Sequence, residues 1–211
     1  MVQIIKNEPT FFTDAKRAIA LPTAPSAWDE IGKDERGFKT KLREHILLEE
    51  QNMLCAYCNQ EIEADKDSSN TDHFKKRALF QNQTVDYENL LVSCKSLYHC
   101  ENIKDNFGLS VTDYAKIIHI VFENPDDFFD YGIDGDILAK DGLNAIDKEK
   151  TEFTIEVFNL NNGSLQKDRA KIGESLKFYQ DYDYEVDDIL NDIVKYPSFI
   201  KNIYRKIGET A

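Results

Sequence analysis

Apolar residues four apart mark the first clear element of the chain. Phe38, Leu42 and Ile46 recur at that spacing, and Leu47 and Leu48 widen the stripe, which predicts a helix over residues 37–52. Ahead of it, residues 1–36 are punctuated by Pro9, Pro22 and Pro25 and read as an irregular or short-helical arm. Residues 53–63 read as strand, turn and strand, 64–71 as a polar loop, and 72–75 as a short strand. The apolar run 89–94 leads into a second turn, and residues 101–120 read as helix broken near Gly108. Residues 130–138 alternate, with Gly132 and Gly135 inside them, the pattern of a hairpin. Beyond Asn161 the chain reads as helix. Ile189 and Ile193 are four apart, as are Leu190 and Val194, and Pro197 can open a last helix through Ile200, Ile203, Tyr204 and Ile207.

A hydrophobic fraction of 41% over 211 residues is enough for a packed interior, either one domain with extensions or two small domains sharing a core. The apolar runs are short: residues 117–122 are interrupted by His119, far from the roughly 20 residues of a membrane helix. The opening residues lack a basic stretch followed by an apolar one, so no secretory signal is expected. The expected compartment is the cytoplasm, without a membrane partner.

Charge complicates this picture. Lys and Arg number 26 against 39 Asp and Glu, a formal net charge of −13. Such a chain is repelled by nucleic acid at long range, so a nucleic-acid substrate requires local basic patches or a partner. Residues 122–160 hold seven Asp and four Glu against three Lys. That segment reads as a solvated surface, or as one that repels stray DNA or docks a basic partner.

The chain has four cysteines, Cys55, Cys58, Cys94 and Cys100, spaced C-x2-C, a gap of 35 residues, then C-x5-C. A reducing compartment argues against disulfides. Two close pairs separated by a loop read instead as a tetrahedral zinc site of four thiolates. His99 is an alternative to Cys94 or Cys100 in that set.

Between the two pairs stand Asp72-His73 and, just before the second pair, Asn89. Phosphodiester hydrolysis needs a nucleophilic water, a base for it, and a cation for the charge that develops on the leaving oxygen. A neutral imidazole suits the base, and a carboxylate beside it suits Mg²⁺ or Mn²⁺. Adjacent residues of a strand point to opposite faces, so Asp72 and His73 can share a site only where the strand kinks or twists. Lys75-Lys76-Arg77 reads either as a solvated cluster or as a phosphate contact beside the base.

The order CxxC, DH, N, CxxxxxC resembles the HNH, or ββα-metal, nuclease superfamily. The matching residues are Cys55-Ala-Tyr-Cys58, Asp72-His73-Phe74, Tyr87-Glu-Asn89-Leu-Leu and Cys94 to Cys100 followed by Lys104. More narrowly, the chain resembles the retron-associated HNH family that includes the nuclease subunit (PtuB) of the Septu anti-phage system. Lys6-Asn-Glu-Pro9, Glu50-Gln51, Asn124-Pro125, Phe128-Phe129-Asp130-Tyr131 and Phe158-Asn-Leu-Asn161 leading to Leu165 and Arg169 carry this narrower likeness, over roughly residues 1–170. The resemblance implies that His73 is the general base, that Asp72 binds the catalytic divalent metal, and that Asn89 orients the His73 ring. Where many relatives carry a metal-binding His or Asn after the last zinc cysteine, this chain has Glu101 and then Asn102, and either could serve. Lys75, Lys76, Arg77 and Lys104 are the candidate nucleic-acid contacts. The family works with an ABC/SMC-type ATPase subunit (PtuA-like), so such a partner and a nucleic-acid substrate, DNA foremost, are implied.

The expected fold is therefore α+β. A zinc-centred ββα-metal core would occupy residues 37–110, with an N-terminal arm over 1–36. Residues 111–211 would hold the acidic segment and a helical C-terminal region. A non-catalytic zinc-binding adaptor is the competing class, and the joint presence of Asp72-His73 and Asn89 speaks against it. A sequence-reading zinc finger fits poorly with net charge −13 and no basic recognition helix.

Overall fold

Helix α3 (Phe38–His45) forms where the four-residue spacing places it, and continues into one wider π-helical turn, Ile46–Glu50. The computed structural model describes residues 1–182 and 184–210. Phe38, Leu42, Ile46 and Leu47 are all buried, whereas Leu48 is exposed, so the apolar stripe is narrower than its sequence suggests. In the N-terminal arm, α1 (Thr10–Arg17) packs Phe12 against Phe38 and Tyr87, and the single turn α2 (Ala27–Glu30) carries Trp28.

Strand β1 (Ser69–His73) pairs antiparallel with β2 (Leu90–Cys94), matching Ser69 with Cys94 and His73 with Leu90. Helix α4 (Glu101–Asn106) follows directly after Cys100. Residues 69–71 are thus strand rather than loop, and the strand ends at His73 rather than at residue 75. Ser69, Asp72 and His73 are buried although polar. Period-two hydrophobicity is absent from this strand because pairing with the apolar β2, not a hydrophobic face of its own, defines it. Helix α4 is also shorter than expected. After Gly108, Ser110 and Asp113 form a reciprocal capping box that opens a 3-10 turn, Val111–Lys116.

The side chain of Gln51 acts as an extra strand residue. It donates to the Val92 carbonyl and accepts from the Val92 N–H, both at 2.8 Å, fastening the end of the π turn to β2. Glu50 beside it accepts from Lys6 Nζ, from the Asn7 N–H at 2.8 Å and from Tyr87 OH at 2.7 Å. Lys6 and Asn7 therefore bind the arm to the strand region.

The acidic segment is more ordered than a solvated surface. It contains the hairpin β3 (Phe129–Tyr131) and β4 (Ile137–Ala139), and helix α5 (Ala145–Val157). Several of its carboxylates have partners: Glu123 pairs with Lys150, and Asp130 with Lys206 at 2.7 Å. At the hairpin tip, Gly135 has φ +90°, and a Cβ there would meet the Gln166 carbonyl at 2.1 Å, so only glycine fits. Helix α6 (Gly163–Asp181) packs on α8 (Pro197–Thr210), with α7 (Val186–Asp192) between them in sequence. One continuous apolar cluster runs from Met1 through Leu42, Leu91, Phe158 and Leu176 to Ile203. Among the described residues no helix is long and apolar enough to cross a membrane.

Candidate functional site

The four cysteines converge. Their sulfurs lie within 4.8 Å of one another and all four residues are buried. Cys55 and Cys100 are 3.8 Å apart at sulfur, Cys58 and Cys94 4.0 Å. A tetrahedron with metal–sulfur arms of about 2.3 Å has edges of about 3.8 Å, so this set could hold a metal such as zinc. The first pair sits on a tight turn closed by Asn59, whose N–H donates to the Cys55 carbonyl at 3.0 Å. Cys94 ends β2, and Cys100 precedes α4 with a strained φ of +64°, its N–H bonded to the Phe158 carbonyl at 2.9 Å. His99 lies beside the cluster, its Nδ1 3.1 Å from the Cys100 sulfur, and the set is complete without it. Hydrogen bonds from the neighbouring thiols pull Cys94 well below the usual thiol range, while burial pushes Cys58 and Cys100 up.

A cleft of about 680 Å³ has a lining that includes Asp72, His73, Glu101 and Asp105. His73 Nε2 is 2.8 Å from the Thr84 carbonyl oxygen. A carbonyl can only accept, so Nε2 carries the proton and Nδ1 keeps a free lone pair. Trp28 meets the imidazole edge-on, with centroids 4.6 Å apart at 86°. Burial pushes the His73 pKa down to about 4, against the Thr84 bond and the Asp72 charge, so the ring is neutral near pH 7.

Asp72, Glu101 and Asp105 bring carboxylate oxygens within 4.8 Å of one another, a second group that could hold a cation. Asp72 and His73 reach one cleft because they are the last two residues of β1, where the ladder ends. Glu101 accepts from Asn70 Nδ2 at 2.9 Å, and burial with the Asp72 charge raises its pKa to about 8. Asp72 accepts from Tyr57 OH and from Lys104 Nζ, the latter at 3.1 Å. Burial and the carboxylate push the Tyr57 phenol well above its ordinary range.

Several expected roles move. Asn89 does not bond the His73 ring. Its Oδ1 accepts from the Lys75 N–H at 2.7 Å, and its Nδ2 donates to the carbonyls of Lys75 and Gln83. It holds two loop strands together, and the Thr84 carbonyl orients the ring instead. Lys104 is buried, so it cannot lie on a nucleic-acid-facing surface. Lys75 lies away from the cleft, its Nζ 5.5 Å from the Phe80 ring centroid. Lys76 and Arg77 do line the cleft. Of the two alternatives for a third oxygen ligand, Glu101 joins the carboxylate group, while Asn102 lines a neighbouring depression with Lys95 and Leu97.

Asp105, Trp28, Lys39, Arg43 and the Thr84 carbonyl were not singled out by sequence. Asp105 had a signal: it follows Glu101 by four on a helix, which puts both carboxylates on one face. The others come from distant segments and had none. A scan against models of protein families gives no match to this chain, and a search of curated proteins gives none either. Chemically, the cleft presents a neutral imidazole with one free nitrogen beside three carboxylates, under a rim of Lys39, Arg43, Lys76 and Arg77.

Proposed function

We propose that this chain is a metal-dependent HNH endonuclease subunit of a bacterial anti-phage defence system. It hydrolyses nucleic-acid phosphodiester bonds, those of DNA foremost, and works with an ABC/SMC-type ATPase. The observation that carries the reading is the meeting of His73, Asp72, Glu101 and Asp105 in one cleft, on two antiparallel strands and a helix stapled by four cysteines. In this reading the cysteines hold a structural zinc, and the carboxylates hold Mg²⁺ or Mn²⁺, which would stabilise negative charge at the scissile phosphate. His73 accepts the proton of the attacking water at Nδ1, while Thr84 fixes the ring through Nε2. Trp28 shields the imidazole from bulk water on one side, and Lys76 and Arg77 with Lys39 and Arg43 line the approach for phosphates. The test is cleavage of plasmid, single-stranded DNA and structured RNA by the purified chain with Mn²⁺ or Mg²⁺, with and without an ABC/SMC-type ATPase of the same system. Cleavage that needs the divalent ion and His73 supports the reading; none under any of these conditions sinks it.

One observation favours a second reading, a non-catalytic zinc-binding adaptor of the same complex. Both Asp72 oxygens already accept a bond, one from Tyr57 and one from Lys104. An adaptor would bind zinc but no Mn²⁺ in the cleft, which calorimetry distinguishes directly.

A further inference from the structure

Lys104 is among the most deeply buried large side chains of the protein, and its ammonium is surrounded by oxygen. Nζ lies 3.1 Å from Asp72 Oδ1 and 2.8 Å from Asp105 Oδ1. It also donates to the main-chain carbonyls of His73 at 2.8 Å and Phe74 at 3.4 Å. A buried ammonium persists only where such partners replace its water. This one bridges two of the three carboxylates that face the cleft and leaves Glu101 to Asn70. Lys76 is another cation that reaches this end of α4. It is half-buried, and its Nζ is bound to the Asp105 main-chain carbonyl rather than to a carboxylate.

We propose that Lys104 is a built-in counter-ion, a positioning residue that fixes Asp72 and Asp105 and sets the charge of the carboxylate group to match one divalent cation. The inference rests on the metal-binding reading of the cleft. A cation entering the group would displace the proton that burial and Asp72 hold on Glu101; with Asp72, Glu101 and Asp105 then all ionised the group carries three negative charges, and Lys104 leaves two. A fixed charge this close discriminates between ions, because its repulsion grows with the charge of the ion that enters. Lys104 therefore disfavours a trivalent ion more than a divalent one. A side chain that served packing alone would have no such preference.

The experiment uses zinc-replete full-length protein and two probes, Tb³⁺ and Mn²⁺. Trp28 is the sole tryptophan and lines the same cleft, so its sensitised Tb³⁺ luminescence reports binding there, and Mn²⁺ is measured by displacement. Lys104→Met is expected to raise the ratio of Tb³⁺ to Mn²⁺ affinity about tenfold, the scale of one unit charge in a partly screened site. Asp105→Asn should lower the ratio, and the double variant, which has the charge of the original group, should restore it. Should Lys104→Met fail to fold, the double variant against Asp105→Asn carries the same comparison, with the same expected factor. Equal losses for both ions, or a ratio that ignores the charge at 104, overturn the proposal and leave the metal reading standing. Absence of any Tb³⁺ or Mn²⁺ binding that Asp72→Asn abolishes overturns the metal reading and the proposal together.

Discussion

Two histidines share a pKa pushed down to about 4 in different surroundings. His73 lines the cleft, with Nδ1 left free by the Thr84 bond. Its replacement by Ala is expected to lower divalent-dependent cleavage by at least ~10²-fold, the usual worth of a general base. Zinc content should stay near that of the parent while the melting temperature falls modestly, because the Thr84 carbonyl loses its partner, and wild-type rates under activating conditions would remove His73 from the mechanism. His119 is walled in by Phe74 and Phe122, with ring centroids at 4.1 and 4.5 Å. Burial first, then the Lys75 and Lys150 charges, push its pKa down to about 4; Glu123, which accepts from the His119 main-chain N–H and not from the ring, is the nearby anion. An unfolded histidine titrates near 6.5, so between pH 6.5 and 4 the unfolded chain binds the extra proton and stability rises with pH. The contribution of His119 is whole above about pH 6.5 and is lost as pH falls through that window, about 2 kcal/mol by pH 5. His119→Phe should therefore lose less stability than the parent between pH 7 and pH 5. Identical losses in thermal melts at the two pH values would show that the ring titrates freely. At this same scale the sequence is a good guide to identity and a poor one to role. Asp72, His73 and Glu101 reach the cleft, but Asn89 and Lys104 point inward, because a side chain's direction depends on partners far along the chain.

Among the elements, the cysteine turns are the most legible, because their spacing anticipates the convergence of four sulfurs that could hold a metal. Cys55→Ala is expected to abolish stoichiometric zinc and to lower the melting temperature sharply, since binding free energy at a structural site is folding free energy. Elemental analysis and a melting curve check both, and an unperturbed melt would mean that hydrogen bonds such as that of Ala56 N–H to the Val92 carbonyl suffice. Asn89 is the comparable clamp in the loops. Its buried side chain bonds main-chain groups of Lys75 and Gln83, so Asn89→Ala should cost about 1–3 kcal/mol in denaturant unfolding, more than a surface change would. Elements without apolar periodicity were not legible. Helix α5 hid in the acidic segment because its buried positions are Thr151, Thr154 and Val157, and threonine reads as polar. Thr151 and Thr154 return their hydroxyls to the carbonyls of Asp147 and Lys150, at 2.7 Å each, which lets them pack inside. The first three residues of β1 hid in a loop for a related reason, although a short strand was legible from Asp72: Ser69, Asp72 and His73 are buried by what lies across from them. The hairpin, α3 and α8 were legible because Gly, Pro and four-residue apolar spacing each act locally.

For the molecule as a whole, the tension is between the phosphodiester chemistry proposed for the cleft and a chain of net charge −13. The cations available at the cleft are Lys39, Arg43, Lys76 and Arg77. Arg77 stands 3.5 Å from Asp29, and Lys39 lies 3.3 Å from the centre of the Trp28 ring, so the rim is partly engaged already. A Debye length of about 8 Å at physiological salt confines whatever attraction remains to the mouth of the cleft. Recruitment of DNA from solution therefore falls to something else, and in the proposed function that is the ATPase subunit. Counterion release makes this quantitative. Four neutralised phosphates set an upper bound of about −3.6 on the slope of log affinity against log salt, or about 10²-fold between 50 and 200 mM. The isolated chain should stay within that bound and bind duplex DNA weakly at physiological salt, and Arg77→Ala should reduce the slope by about one. Addition of the ATPase should steepen the slope and raise cleavage together, because its own cations then join the count. Fluorescence anisotropy across a salt series, run beside the cleavage assay, reads both quantities. A slope much steeper than −4 for the chain alone, with cleavage indifferent to the ATPase, would mean that this acidic protein carries a DNA surface outside the cleft and needs no partner to reach its substrate.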